Sequence, residues 1–206
     1  FATVSTDYVF RGVSQTIEDP AVQAGLAFEH ASGWFAGVWA STVDFPTNAV
    51  RDRPRDLEID LWLGYGIELT PRWGLALEAR QYEYPDDDPA HDYDYTELSL
   101  VARRARSGLS VSYAEEALGV DASGLAVEAS HRLDLPRRID LLAGVGYYDL
   151  GGPFLEDYLF WSLIAGRTVG RLRFELGYFG TDDRGRRVFG DLAGSRLVAS
   201  LSLRFL

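Results

Sequence analysis

Three observations predict an all-β chain, a single 12-stranded antiparallel up-and-down transmembrane β-barrel covering residues 1–206. Hydrophobicity alternates with period two, connections alternate strictly between short and long, and the apolar rows carry almost no charge. Period two puts successive side chains on opposite faces, which a helix does not do. No window approaches 18 uninterrupted apolar residues, so a membrane would be crossed by strands.

The clearest run is Leu57-Glu58-Ile59-Asp60-Leu61-Trp62-Leu63-Gly64-Tyr65-Gly66-Ile67-Glu68-Leu69, in which every odd position is apolar. Applied along the chain, the same rule gives strands at 2–13, 21–30, 34–45, 56–69, 73–84, 92–103, 108–117, 122–133, 138–149, 156–168, 171–181 and 192–206. Each is close to the ~9–11 residues a tilted strand needs to cross a bilayer core. Ser32-Gly33, Thr70 to Arg72, Arg104 to Ser107, Asp134 to Arg137 and Val169-Gly170 are tight connections. Between them lie longer ones, Ser14 to Pro20, Pro46 to Arg55, Pro85 to His91, Leu118 to Asp121, Leu150 to Leu155 and Asp182 to Asp191, built from turn-forming Asp, Gly and Pro. Short turns at one end and long loops at the other are the signature of an outer-membrane barrel, with the short turns in the periplasm.

Parity assigns the faces. Val4-Thr6-Tyr8-Phe10, Val22 to Phe28, the odd positions of 57–69, Leu98-Leu100, Leu172 to Tyr178 and Leu201-Leu203-Phe205 form outward rows. Ten acids and six arginines face the other way, among them the expected lumen-lining residues Asp7, Arg11, Glu58, Asp60, Glu78, Arg80, Glu97, Arg173 and Glu175. A soluble lipocalin-like barrel would turn this pattern inside out. Against that stand the one-ended long loops, the larger strand count, and rings near strand ends (Trp34, Trp73, Tyr65, Tyr147, Tyr178, Phe205), where a lipid-interface girdle would lie. Tyr158 to Thr168 reads as apolar on both faces, which fits either a subunit interface or an occupied lumen.

Composition narrows function. The 206 residues include no Cys, no Met and no Lys, and 20 arginines face 31 acids for a net charge of −11. That balance argues against a nucleic-acid partner. Without cysteine there is neither a disulfide framework nor thiolate chemistry. The numbered chain opens on Phe1 with no charged-then-apolar segment, so any export signal is expected to have been removed already.

Thr6-Asp7-Tyr8-Val9-Phe10-Arg11-Gly12-Val13-Ser14-Gln15-Thr16, with Asp19 to Gln23 and Ser32 to Phe45, resembles the proteobacterial TorF-type porin family, a conserved hypothetical family of outer-membrane barrels. The resemblance implies an outer-membrane barrel here too. The chain departs from it in carrying Thr42 where Asn is more frequent, and in ending on Leu206 after Phe205.

Asp7 and Arg11 would sit about 13 Å apart along one extended strand, so each needs partners on other strands. Either the inner charges ring a constriction that orders water and selects ions, or they pair and fill a narrow barrel. The first gives passive diffusion of small ions or solutes with cation preference; the second gives a closed barrel acting as a structural or interaction subunit. Asp86, Asp87 and Asp88 are weak candidates for a divalent-cation site bridging to lipopolysaccharide phosphates, although their spacing lacks the central Gly and terminal Glu of a calcium loop. No cofactor is expected. Arg72, Arg104, Arg106, Arg137, Arg138 and Arg171 gather at the short turns, where they would meet lipid headgroups or an acidic partner subunit in the membrane or periplasm. Neither a Gly-x-Ser-x-Gly elbow nor His-Glu-x-x-His occurs, and His30, His91 and His131 lie in or near turns and loops, so an enzyme is not expected.

Overall fold

A computed structural model describes residues 1–44, 57–85, 93–119, 121–152 and 156–205. The wall is a closed antiparallel barrel of 12 strands. It opens with β1 (Ala2–Ser5), after which two short strands, β2 (Val9–Phe10) and β3 (Val13–Ser14), lie apart from it. The other wall strands are β4 (Ala21–Glu29), β5 (Trp34–Thr42), β6 (Leu57–Thr70), β7 (Trp73–Glu83), β8 (Tyr95–Arg104), β9 (Ser107–Ala114), β10 (Gly124–Leu135), β11 (Ile139–Leu150), β12 (Tyr158–Val169), β13 (Leu172–Thr181) and β14 (Arg196–Leu203). Each pairs with its neighbour in the wall, and β1 closes the ring by pairing with both β14 and β4. Closure removes the unpaired edges that a bilayer would not tolerate.

From β4 onward the outward rows are as parity assigns them. Leu26, Phe28, Leu63, Leu77, Leu98 and Leu197 are all exposed on the outer face. In water such a belt would be a severe aggregation hazard; facing lipid it is the ordinary surface of a barrel. Trp34 packs edge-on to Tyr65 at 5.2 Å, and the Arg104 guanidinium lies 5.3 Å over the Trp73 ring, both near the short-turn end. Amphipathic rings of this kind suit the headgroup layer. Inside the wall, rings fill space that facing glycines leave open: a Cβ on Gly64 would collide with Phe35, and one on Gly146 with Phe160.

The N-terminal strand departs from expectation. Instead of forming a wall strand over 2–13, the chain leaves the wall after Ser5 and turns into the lumen, where β2 and β3 pair as a small hairpin. Tyr8 and Phe10, expected to face lipid, contact interior groups instead. The cause is the polar face of the same segment. Asp7, Arg11, Ser14 and Thr16 are each less than 9% exposed and find partners only inside the barrel.

The last long connection also differs, since it carries a short helix, α1 (Asp183–Phe189), and a 3₁₀ turn ahead of β14, which begins at Arg196 and not at 192. Asp182 caps the helix by accepting from the Gly185 amide at 3.1 Å. Arg184 and Arg187 tie it to Asp157 and Glu156 at 2.9 and 2.7 Å. Phe189 then lies 5.6 Å from Tyr158. On the doubly apolar strand β12 the inward Tyr158 and Phe160 are buried within an occupied lumen, while Leu159 and Leu163 face out.

Candidate functional site: a hairpin across the lumen

The hairpin begins where the Thr6 amide donates to Ala199 O at 3.0 Å. Asp7 follows as the root. Its carboxylate accepts from Ser14 Oγ at 2.7 Å, Thr16 Oγ1 at 2.9 Å and Arg196 Nη1 at 3.2 Å. These bonds gather both ends of the hairpin onto β14.

Arg11 and Gly12 form the tip, with φ of 45° and 82°. Two consecutive left-handed residues make the tight turn that suits a two-residue hairpin. The tip reaches the opposite wall. Arg11 Nη1 and Nη2 donate to the two Glu97 oxygens at 2.8 and 3.0 Å, and Nε donates to Glu128 Oε1 at 3.1 Å. Its guanidinium also lies 4.8 Å from the Phe10 ring centroid and 4.5 Å from that of Tyr148. A forked bidentate pair with a planar cation on aromatic faces is geometry that arginine makes and lysine does not. Gly12 wedges beside Thr181, Gly180 and Phe160, where a Cβ would meet Thr181 Cγ2 at 2.6 Å. Gly12→Ala is therefore expected to cost about 1–3 kcal/mol, read as a lower denaturant midpoint for the refolded barrel.

The shaft is held as well. Tyr8 donates from its hydroxyl to Glu58 Oε1 at 3.3 Å and packs edge-on to Trp39 at 5.2 Å. Phe10 packs edge-on to Tyr82, which stacks on Tyr95 at 4.3 Å. Val13 bridges to Ala193.

The nine residues expected in the lumen fall into separate groups. Asp7, Arg11, Glu58 and Glu97 hold the hairpin. Arg80 links Asp60 at 3.0 Å to Glu78 at 2.9 Å and lies over Trp62. Nearer the short turns, Arg173 joins Asp140 at 2.8 Å and Glu175 at 2.9 Å. Glu128, Tyr148 and Arg196 complete the site and are not among those nine; the even parity that puts Arg204 inside puts Arg196 there too. Asp86, Asp87 and Asp88 lie outside the described residues. His30 and His131 bond Ser32 and Ser107 at 2.7 and 2.9 Å, and among the described residues no carboxylate orients either ring.

The hairpin separates two kinds of space. Toward the long loops is an aromatic cup of about 180 Å³. Toward the short turns is a polar void of about 410 Å³, bordered by Tyr8, Arg11, Asp60, Glu78, Arg80, Glu97 and Glu128. That void shares walls with hollows of about 280, 550 and 780 Å³, the last reaching the turn at Ala31 to Gly33. Phe10 borders both the cup and the void.

A family model described as "Bacterial protein of unknown function (Gcw_chp)" matches residues 2–202. The chain belongs to the Gcw_chp family. Among curated proteins, none matches it in sequence. Its fold is that of porins: this Gcw_chp chain superposes on the NanC porin with a TM-score of 0.70 at 10% identity, covering 100% of both chains. On the KdgM porin the TM-score is 0.58 at 6% identity, and on KdgM in complex with disordered oligogalacturonate it is 0.60 at 5%, again with 100% of both chains covered. At such identities the likeness extends to architecture alone, so what the Gcw_chp lumen does must be argued from its own residues.

Proposed function

We propose that the chain is an outer-membrane diffusion barrel, narrowed at mid-lumen by the hairpin, that passes small ions or solutes passively and prefers cations. The apolar outer belt and the porin fold support the membrane setting, with short turns in the periplasm and long loops outside. The N-terminal resemblance to TorF-type porins agrees with it. One observation carries the reading: beneath a single hairpin lie hollows of about 410 and 780 Å³ that share Glu78 and Val101 in their linings, the first bordered by Asp60, Glu78, Glu97 and Glu128.

Around that constriction Glu58, Asp60, Glu78, Glu97 and Glu128 face Arg11 and Arg80. The carboxyls there outnumber the two bases, and an excess of negative charge in a low-dielectric channel would concentrate cations and repel anions. A polyanion such as the oligogalacturonate in the KdgM complex would meet that field unfavourably.

The test is conductance of the refolded protein in a planar bilayer under a potassium chloride gradient. Small discrete steps are expected, with a reversal potential of the cation-selective sign. Glu78→Gln, which leaves Asp60 to hold Arg80, is expected to lower the cation-to-anion permeability ratio about twofold with the fold intact. A second reading, a closed barrel serving as a structural or interaction subunit, draws on the buried ion pairs that fix the hairpin. It predicts an inserted, heat-modifiable protein that stays silent at every voltage.

A further inference from the structure

We propose that the short-turn rim around the end of β12 is a binding site for an anionic phospholipid, whose phosphate is taken by Arg167 together with Arg137, Arg138 and Arg171. Whether the barrel conducts does not bear on this, but the leaflet concerned, the inner one, rests on the membrane orientation proposed above.

The register puts Arg167 on the lipid face. It follows Gly166, which faces in, where a Cβ would collide with the Arg173 guanidinium. Arg167 itself shares the outward row with the exposed Leu159, Leu163 and Val169. Across the sheet it stands opposite Ile139 of β11 on one side and Phe174 of β13 on the other. A charge in such a row is costly against hydrocarbon unless it reaches the headgroup layer. Arg167 lies two residues before the end of β12 at Val169, so its long side chain has that layer within reach.

The two turns beside it supply the other cations. Arg137 and Arg138 end the Pro136–Arg138 turn, directly before Ile139, and Arg171 lies in the turn that joins β12 to β13. All four arginines are exposed. The carboxylates near them are already paired: Asp134 with Arg106 at 2.5 Å, and Asp140 with both Arg132 at 3.1 Å and Arg173 at 2.8 Å. Among the described residues none of the four guanidinium groups has an ion pair or a side-chain hydrogen bond. Arg137 and Arg138 also take φ of 65° and 59°. Glycine or asparagine would hold that left-handed backbone at less cost, so the turn carries its two arginines against its own conformational preference.

Four forked donors without acceptors call for an oxyanion, and arginine's planar fork matches phosphate. The place of Arg167 decides the source. A soluble acidic protein would meet the turns but not the lipid-facing row. A phospholipid brings its phosphate to the headgroup layer and lays its acyl chains against Ile139, Leu163 and Phe174. A net-anionic headgroup is favoured over a zwitterionic one, whose ammonium would be repelled by the same arginines.

The test is competition between phosphatidylglycerol and phosphatidylethanolamine, equimolar and with identical acyl chains, for the full chain refolded in a neutral detergent and read by native mass spectrometry. The parent is expected to retain phosphatidylglycerol in excess. Arg167→Gln should lower the ratio of the two lipids about fivefold, the effect of one arginine near an anionic surface, and Arg138→Gln added to it should lower it further. Arg187→Gln, an equal change of charge at the long-loop end, should leave the ratio unchanged. Equal retention of both lipids by the parent would overturn the proposal and leave the turn arginines to an acidic protein. A ratio that Arg187→Gln lowers as much as Arg167→Gln does would overturn it too. Lipid A retained in preference to phosphatidylglycerol would overturn the assignment to the inner leaflet. Insertion into neutral phosphatidylcholine vesicles is scored separately by heat-modifiability. A chain that inserts but shows no lipid preference refutes the site alone; one that does not insert refutes the membrane setting as well.

Discussion

Replacing Arg11 by Ala is expected to raise single-channel conductance several-fold and to make the current flicker. Arg11 is the cross-lumen anchor of the hairpin. Its side chain is 4% exposed, and that of Glu97 is 6% exposed. Removing the cation leaves Glu97 buried beside Glu128 with no counter-charge, and losing one member of a buried pair costs about 3–5 kcal/mol. That cost falls when the hairpin tip leaves and water reaches the carboxylates, so the substitution favours an unblocked lumen. Arg11→Lys should fall between, because a lysine restores charge but cannot fork across both Glu97 oxygens or lie flat on Phe10 and Tyr148. Bilayer recordings at matched salt decide the matter. If Arg11→Ala inserts and conducts no better than the parent, the hairpin is not the obstruction.

Asp7→Ala is expected to lose about 3–5 kcal/mol of stability, a larger loss than any surface change, read as a lower guanidinium midpoint by tryptophan fluorescence. Asp7 and Arg196 are 5% and 6% exposed as side chains. Without the carboxylate, Ser14 and Thr16 each lose an acceptor, and Arg196 keeps only the Asp191 and Leu192 carbonyls and a 3.6 Å approach to Glu18. Asp7→Asn should lose less, since its amide oxygen can still accept from the two hydroxyls. Asp7→Leu combined with Arg196→Met should also lose less than Asp7→Ala alone, because a matched apolar pair leaves no charge stranded. Equal losses for all three would mean that the backbone turn at Thr6, and not the ion pair, roots the hairpin.

The barrel wall was legible because lipid on one side and a polar lumen on the other impose strict period two, as in Leu57 to Leu69. The same logic misread Thr6 to Val13. That run also alternates, but alternation reports a pleated backbone with two different faces and not which wall the backbone belongs to. Within the lumen both faces touch protein, so Tyr8 and Phe10 pack on Trp39 and Tyr82 just as well as they would on lipid. A signal was present in Arg11-Gly12, a pair suited to a two-residue turn between Val9-Phe10 and Val13-Ser14. The short helix after Asp182 falls in what reads as part of a long connection; its Asp cap was a signal for it, one that Gly185 inside the helix weakens. Which inner charges pair could not be read at all. Arg11 with Glu97 and Glu128, and Asp7 with Arg196, are set by how far the hairpin reaches across the ring, a distance that no strand's own sequence encodes.

The seam where the ring closes has a consequence for how the molecule is made. β1 meets β14 over only four residue pairs, and Thr3 and Ser202 are 199 positions apart in the chain. Contacts so distant form late, since the entropy of closing so long a loop must be met before they repay it. The hairpin is continuous with β1, and its root at Asp7 is completed only by Arg196, 189 residues on. Sealing of the wall and completion of the hairpin's root at Asp7 thus both wait on the last strand, so an intermediate lacking it is open at the seam and holds its hairpin by the tip and shaft alone.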